Sequence, residues 1–330
     1  MDIKLSIVIP VYNEEENLPA LCRELDDLLP ELKEKLAGNT SGADGNGIEI
    51  LFINDGSTDN SAAILESKIK SSSHCRHINF SRNFGQQAAV SAGLYCARGD
   101  AVVVMDGDLQ DPPGLIKEMV DKWMQGFDVI FAVREKRESP LFKKAAYLIY
   151  YRLQAAVSDF PVQKDAGDFS LLDRKVVNAI NDLPEKEKYV RGLRAWVGFK
   201  QTELKYDRIA RKKGKTKYSL SSLIKLAFQG VLSTSVKPLF LSGLFGALSA
   251  ITIIGIVVFS VVSKIFLPGD VMPKGWTALM VTVSVLSGFQ LISTWLLSLY
   301  IARIYREILG RPAYLIAYDS LEREKGGSTI

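Results

Sequence analysis

The sequence predicts an α/β chain: a doubly wound, mostly parallel sheet, then amphipathic interface helices and two transmembrane helices. Three observations predict it. Short β-branched runs alternate with helix-length segments from the first residues onward. Acidic side chains recur just after those runs, and two long charge-free apolar stretches are confined to the C-terminal third. With 47% apolar and 24% charged residues in 330, a disordered, fibrous or small disulfide-stapled chain is excluded.

Leu5–Ile9 is the first strand, followed by a polar break at Tyr12–Glu16 and a helical stretch to about Leu36. Ile48–Ile53 is the second, ending in NDGSTDNS, where Thr58 or Asp59 can cap the next helix. His77–Phe80, Ala101–Met105 and Asp128–Val133 are further strands, with helices between them. The opening MDIKLSIVIP is too short an apolar stretch for a secretory signal and reads as this first strand. Cys22, Cys75 and Cys96 lack a pairing framework and fit a reducing compartment. His74, Cys75 and His77 do not have a zinc spacing; a polar loop entering a strand is the plainer reading.

Ligands of such sheets bind beyond the carboxyl ends of the strands. Asn13 and Glu14 follow the first strand, Asp55 the second, and Asp106 and Asp108 follow Ala101–Met105. Three strand ends thus bring acids to one edge. Within Asp106-Gly107-Asp108-Leu109-Gln110-Asp111, two carboxylates two residues apart can share one hard divalent cation, Mg²⁺ or Mn²⁺, completed by substrate phosphates. Such a pair alone is usually an acidic turn; its place after a buried strand gives it weight. Neither GxxxxGK[ST] nor GxGxxG occurs.

Leu239–Val262 and Trp276–Ala302 carry no charge over 24 and 27 residues, and about 20 helical residues cross a bilayer. Lys200, Lys205, Arg208, Arg211, Lys215, Lys217 and Lys225 precede the first stretch, and Arg303, Arg306 and Arg311 follow the second. Only Lys264 and Lys274 lie between, so the positive-inside rule places both termini in the cytoplasm and the short loop outside. Ser219–Ser235 reads as an amphipathic helix in the membrane surface. Arg211, Lys215 and Lys217 surround Gly214 in a stretch able to fold over a phosphate, whereas Lys200, Lys205 and Arg208 read as flank charges. Neither aromatic interleaving nor a recognition helix accompanies them, so nucleic acid is not an expected partner.

The expected organisation is a cytoplasmic catalytic domain over 1–210, a basic loop and surface helix over 211–237, and spans at 238–263 and 276–302. An outer loop over 264–275 joins the spans, and a cytoplasmic tail over 303–330 ends the chain. Residues 313–318 of the tail read as a strand that pairs with a sheet edge, its own or a neighbour's. The second option predicts a homo-oligomer.

SIVIPVYNEEENL, INDGSTDNS, SRNFGQQAAVSAGL and MDGDLQDPP stand in the order typical of family 2 glycosyltransferases with the GT-A fold, which the chain resembles. YYRL at 150–153, DAGDFSLLDRKV at 165–176, RKKGKTKYS at 211–219 and the two apolar stretches narrow the resemblance to polyprenyl-phosphate glycosyltransferases. It is similar to the bacterial enzymes that charge undecaprenyl phosphate with glucose from UDP-glucose. The resemblance implies that Pro10, Tyr12, Glu14 and Asp55 hold the uracil and ribose, with Asp106 also on the nucleotide sugar. It implies Asp106, Asp108 and Gln110 at the metal, and Asp165 or Asp168 beside the reacting centre. Arg134, Arg152, Arg211, Lys215 and Lys217 would receive the lipid phosphate. Inverting transfer of one sugar at the cytoplasmic membrane face is the expected reaction, from UDP-glucose or from GDP-mannose, UDP-galactose or a UDP-aminosugar. A processive synthase of the same family would carry QxxRW; Gly192–Trp196 comes nearest and lacks the Gln. A flippase subunit would need intramembrane charge or a repeat, and neither is present.

Overall fold

The computed structural model describes residues 3–37, 47–134, 166–186, 188–206, 237–266 and 276–321. The elements run β1 (Ile3–Val11), α1 (Leu18–Ala37), β2 (Gly47–Asn54), α2 (Ser61–Ser71), β3 (Cys75–Phe80) and α3 (Gln86–Cys96). Then follow β4 (Ala101–Val104), α4 (Ile116–Met124), β5 (Val129–Arg134), β6 (Ala166–Asp173), α5 (Arg174–Asn181), α6 (Val190–Trp196) and β7 (Gln201–Tyr206). Two long helices, α7 (Lys237–Phe266) and α8 (Trp276–Ile308), precede the last strand, β8 (Ile316–Asp319). The cap of α2 falls on Asn60, two residues past Thr58 and one past Asp59, the two expected caps; Asp59 still accepts from the Ser61 N–H at 3.0 Å.

The strands form one sheet in the order β7-β5-β6-β4-β1-β2-β3-β8. β1 pairs in parallel with β2 and β4, β2 with β3, and β5 with β7; β6 runs antiparallel to β4 and β5. Period-two alternation sorts the strand residues between two cores. Leu5, Ile7, Ile9, Ile50 and Phe52 face α1 and α4, while Val8, Leu51 and Ile53 face α3, α5 and α6. The parallel centre is covered on both faces, as crossover helices require. Helix α3 approaches β1 so closely that a Cβ on Gly93 would stand 2.1 Å from Val8 Cγ1. A larger residue there would push the helix off the sheet.

The chain divides into two compact units, one holding the sheet with the tail strand and the other holding α7 and α8. Helix α7 has 30 residues and α8 has 33, so at 1.5 Å per residue both exceed the roughly 30 Å of a bilayer's hydrocarbon. Many of their described apolar residues are exposed, Ile251, Val258, Phe259, Leu291 and Trp295 among them. Water is a poor solvent for such a surface; both helices are long and apolar enough to cross a membrane. They meet through a Phe245–Phe289 ring stack at 5.6 Å and a Ser293 hydroxyl that donates to the Ser242 carbonyl.

Helix α8 continues past the expected end at 302, through Arg303 and Arg306. Nothing breaks it before Gly310, which takes φ +63° as its terminator, with Pro312 just beyond. The tail strand is shorter and later than the expected 313–318, because pairing begins only at Ile316 opposite Phe80. It joins its own sheet, antiparallel to β3. That is the first of the two expected pairings, and it lends the homo-oligomer no support. Cys75 and His77 are residues of β3; His77 is fully buried and its Nε2 pairs with Asn79 Oδ1.

Candidate active site

Register brings the strand ends together. Val11 pairs with Asn54 and Val8 with Val104, so the residues after β1, β2 and β4 emerge along one edge. Because β6 runs the other way, its early residues arrive at that same edge: Ser170 sits opposite Val104, and Asp168 is two residues earlier.

The loops after β1 and β2 are laced to each other. Asn13, at φ +54°, accepts from the Thr58 N–H at 2.8 Å, and its own N–H donates to Ser57 Oγ at 3.0 Å. The Glu14 N–H donates to Ser61 Oγ, and the Glu15 carboxylate accepts from both nitrogens of Asn60. Tyr12 is 40% exposed here, and the Glu14 carboxylate accepts from Asn17 Nδ2 at 2.6 Å. Pro10 lies within β1; its carbonyl is so close to Gly107 that an added Cβ would stand 3.2 Å away. Thus Pro10 borders the Asp106–Asp108 turn.

Asp55 is buried and faces the chain itself. Its carboxylate accepts from the N–H of Phe84 at 2.6 Å, the N–H of Gly85 at 2.9 Å and Asn83 Nδ2 at 2.9 Å. Burial raises its pKa against the lowering effect of those two N–H groups. Asp55 therefore brackets the loop between β3 and α3. Gly56 makes the bracket possible: at φ +65°, a Cβ would lie 2.4 Å from the Arg82 carbonyl carbon.

That loop carries Gln86, whose Nε2 donates to Asp106 Oδ1 at 2.8 Å and to Asp168 Oδ2 at 3.1 Å. One amide thus joins the two acids. Gln87 reaches Asp168 at 3.4 Å and accepts from the Val190 N–H at 3.0 Å. Arg191 grips Asp168 with a fork: Nε to Oδ1 at 2.6 Å and Nη2 to Oδ2 at 2.8 Å. Buried Arg194 donates to the Gly167 carbonyl and stands over the Phe131 ring at 5.3 Å.

The two acids titrate in opposite directions. Burial, then the Asp168, Asp111 and Asp108 carboxylates, push Asp106 up to about 7. Burial would raise Asp168 too, but the Arg191 guanidinium, with Arg194 behind it, holds it below the usual carboxylate range. Asp168 in turn raises Arg191, while burial brings Arg194 down to about 10. Asp111 accepts from the Tyr206 hydroxyl, and Asp108 accepts from the Gln110 N–H at 3.2 Å.

A divalent cation fits this donor set. Carboxylates that repel one another at the end of β4 are hard oxygen donors whose charge a cation would neutralise. Among the described residues no group of three or more His, Cys, Asp or Glu forms a ready cage. A cation here would take its remaining ligands from substrate phosphates.

The structure thus brings Asp106, Asp108, Gln110 and Asp168 together at the edge that also carries Pro10, Tyr12, Glu14 and Asp55. Asp165, Arg152, Arg211, Lys215, Lys217 and the helix expected over Ser219–Ser235 lie outside the described residues. Arg134 closes β5, and its side chain lies outside them too. Sequence reasoning missed Gln86, Gln87, Arg191 and Arg194 as site residues. The only available signal was the stretch SRNFGQQ and the Gly192–Trp196 segment, neither of which had an assigned role.

The model of the glycosyl transferase family 2 matches residues 6–180, more than half of the chain. The chain belongs to glycosyl transferase family 2. It is a glycosyltransferase, and its mostly parallel sheet is of the GT-A class. A glycosyltransferase of Bacillus subtilis is 41% identical over 95% of this chain and 93% of its own length. The bactoprenol glucosyl transferase derived from the SfII prophage in Shigella flexneri is 34% identical, covering 95% of this chain and 97% of that protein. Among solved structures, glucosyl-3-phosphoglycerate synthase from Mycobacterium tuberculosis, crystallised with Mn²⁺, UDP and phosphoglyceric acid, aligns with a TM-score of 0.47. That alignment has 19% identity and covers 70% of this chain and 77% of the synthase.

Proposed function

We propose that this glycosyltransferase moves one glucose from UDP-glucose to undecaprenyl phosphate at the cytoplasmic membrane face. One observation carries the reading. Similarity to bactoprenol glucosyl transferases runs over 95% of the chain and so takes in the acidic strand ends and the bilayer-length helices together.

Pro10, Tyr12, Glu14 and Asp55 then border the nucleoside. Asp106 and Asp108, with Gln110 beside them, are the residues that would hold Mg²⁺ or Mn²⁺. When bound, the cation supplies Lewis-acid stabilisation of the negative charge on the departing diphosphate. Asp168 is bound on both oxygens by Arg191 and held below the ordinary carboxylate range, which makes it a poor proton acceptor. The proposed nucleophile hardly needs one, since a phosphate monoester's second pKa is about 6. Asp168 instead fixes Gln86 and Gln87, and through Gln86 the position of Asp106. Arg134, Arg152, Arg211, Lys215 and Lys217 are the proposed cationic receivers of the lipid phosphate, offsetting repulsion between two anionic reactants. In-line attack inverts the anomeric centre and yields a β-linked lipid-phosphate glucose.

The test uses the full chain in detergent with undecaprenyl phosphate and radiolabelled UDP-glucose, GDP-mannose or UDP-galactose in separate tubes. An organic-soluble label from UDP-glucose alone, lost on adding EDTA, is the expected result. Label from a different donor would keep the acceptor and replace the sugar; label from none would overturn the reading.

A further inference from the structure

The tail after α8 touches the sheet in a way that the family assignment does not use. β8 runs antiparallel to β3, with Ile316 opposite Phe80 and Asp319 opposite Ile78. It therefore enters the sheet at the carboxyl end of β3, the edge where Tyr12, Asp55 and Asp106 emerge. Its far end is riveted down. Asp319 takes a two-pronged ion pair from Arg76, and Ser320 Oγ accepts from the His77 N–H at 3.0 Å.

The near end meets the functional loop. The Tyr314 ring stacks on Phe80 at 5.0 Å with 9° between planes, and Phe80 meets Phe84 edge-on at 5.8 Å. One residue along, the Ser81 N–H donates to the Leu315 carbonyl at 3.0 Å. From Phe80 the chain runs directly into residues 81–87. There the Phe84 and Gly85 N–H groups hold Asp55, and Gln86 and Gln87 hold Asp106 and Asp168. Arg82 stands over the Phe84 ring, 4.1 Å from its centroid.

We propose that the tail segment Arg311–Leu321, through Tyr314, is a positioning element of the active site that holds the loop 81–87 in register. The tail touches no reacting group; it acts through the Phe80–Phe84 ring pair and the Ser81 backbone. Only the kinetic part of its test rests on the proposed sugar transfer.

The test compares Tyr314→Ala, Tyr314→Leu and Tyr314→Phe in the full chain. Hydrogen exchange of the 81–87 amides, melting temperature and steady-state kinetics are measured for each. An aromatic stack contributes enough that its loss should speed exchange of the Phe84 and Gly85 amides by about tenfold. Tyr314→Leu keeps the apolar bulk and should show the same exchange even if Tyr314→Ala folds poorly. Tyr314→Phe keeps the stack and should match the unmodified chain. Both loosened variants should raise the donor KM and lower kcat, with the KM for undecaprenyl phosphate unchanged. Unchanged exchange at 81–87, or a shift in the lipid KM alone, would overturn the proposal. A lower melting temperature without faster exchange at 81–87 would overturn it too. If the unmodified chain transfers no sugar, the exchange comparison still decides the tail's role, so the two failures are distinguishable.

Discussion

Two halves of one sheet edge handle their carboxylates differently. After β1 and β2, the Asp55 and Glu15 carboxylates each accept hydrogen bonds from neighbouring loops, and the Asn13 carbonyl does the same. After β4, among the described residues, Asp106, Asp108 and Asp111 crowd together, and Arg191 is committed to Asp168. The first half is a finished scaffold. The second gathers several carboxylates at one strand end, and their mutual repulsion, after burial, is what raises Asp106. The contrast teaches that acids at neighbouring strand ends can do different work: some brace the loops around a site, others crowd together within it.

The sharpest break comes at β4. Asp106→Ala or Asp108→Ala should cut kcat by at least about a thousandfold in the lipid-extraction assay, with the melting temperature held or raised. Removing one of several repelling carboxylates relieves the crowd, so the site loses function without losing stability.

Asp168→Asn comes next. It leaves half-buried Arg191 facing a neutral amide, which should cost up to about 3 kcal/mol in thermal or urea unfolding. Turnover should fall by about a hundredfold, because Gln86 and Gln87 lose their anchor.

These expectations also mark what was readable beforehand. Strands β1 to β5 were legible because short, nearly continuous apolar runs report locally a sheet buried on both faces. The acids after β1, β2 and β4 were legible because parallel strands put their carboxyl ends on one edge. Arg191 was not, since its meeting with Asp168 depends on β6 turning antiparallel and on α6 packing across that end, and neither is written in local periodicity. Gln86 was likewise invisible: an amide at a helix start is unremarkable until Asp106 and Asp168 stand on either side of it. The tail strand was visible, but which sheet edge it would join was not.

On the scaffold half, Asp55→Asn should act mainly on structure. It replaces an acceptor carboxylate with an amide whose NH₂ faces N–H donors, which should cost about 1–3 kcal/mol. The donor KM should rise as the loop 81–87 loosens, while the KM for the lipid stays put.

The smallest expected effect is a pH slope in stability. Burial lowers the pKa of both His74 and His77, with His77 fully inside the sheet. The unfolded chain then takes up protons first, so stability should be lost as pH falls through the ordinary histidine value of about 6.5. Asp106, raised to about 7, adds stability over the same range as pH falls. The histidine slope is therefore read from urea midpoints between pH 7.5 and 5.5 in an Asp106→Asn background, where His77→Gln should flatten it, leaving the part due to His74.

The central claim is that an ionised lipid phosphate attacks without a side-chain base, and a pH–rate profile tests it most directly. Single-turnover transfer from UDP-glucose to undecaprenyl phosphate would be followed from pH 5 to 9 for the unmodified chain and for Asp168→Asn. The account predicts two profiles of the same shape, rising near the phosphate's second pKa of about 6 and flat above it, displaced only in height. A limb present in the unmodified chain and missing from Asp168→Asn, or an Asp168→Asn rate that climbs steeply with pH, would contradict it and make Asp168 the base.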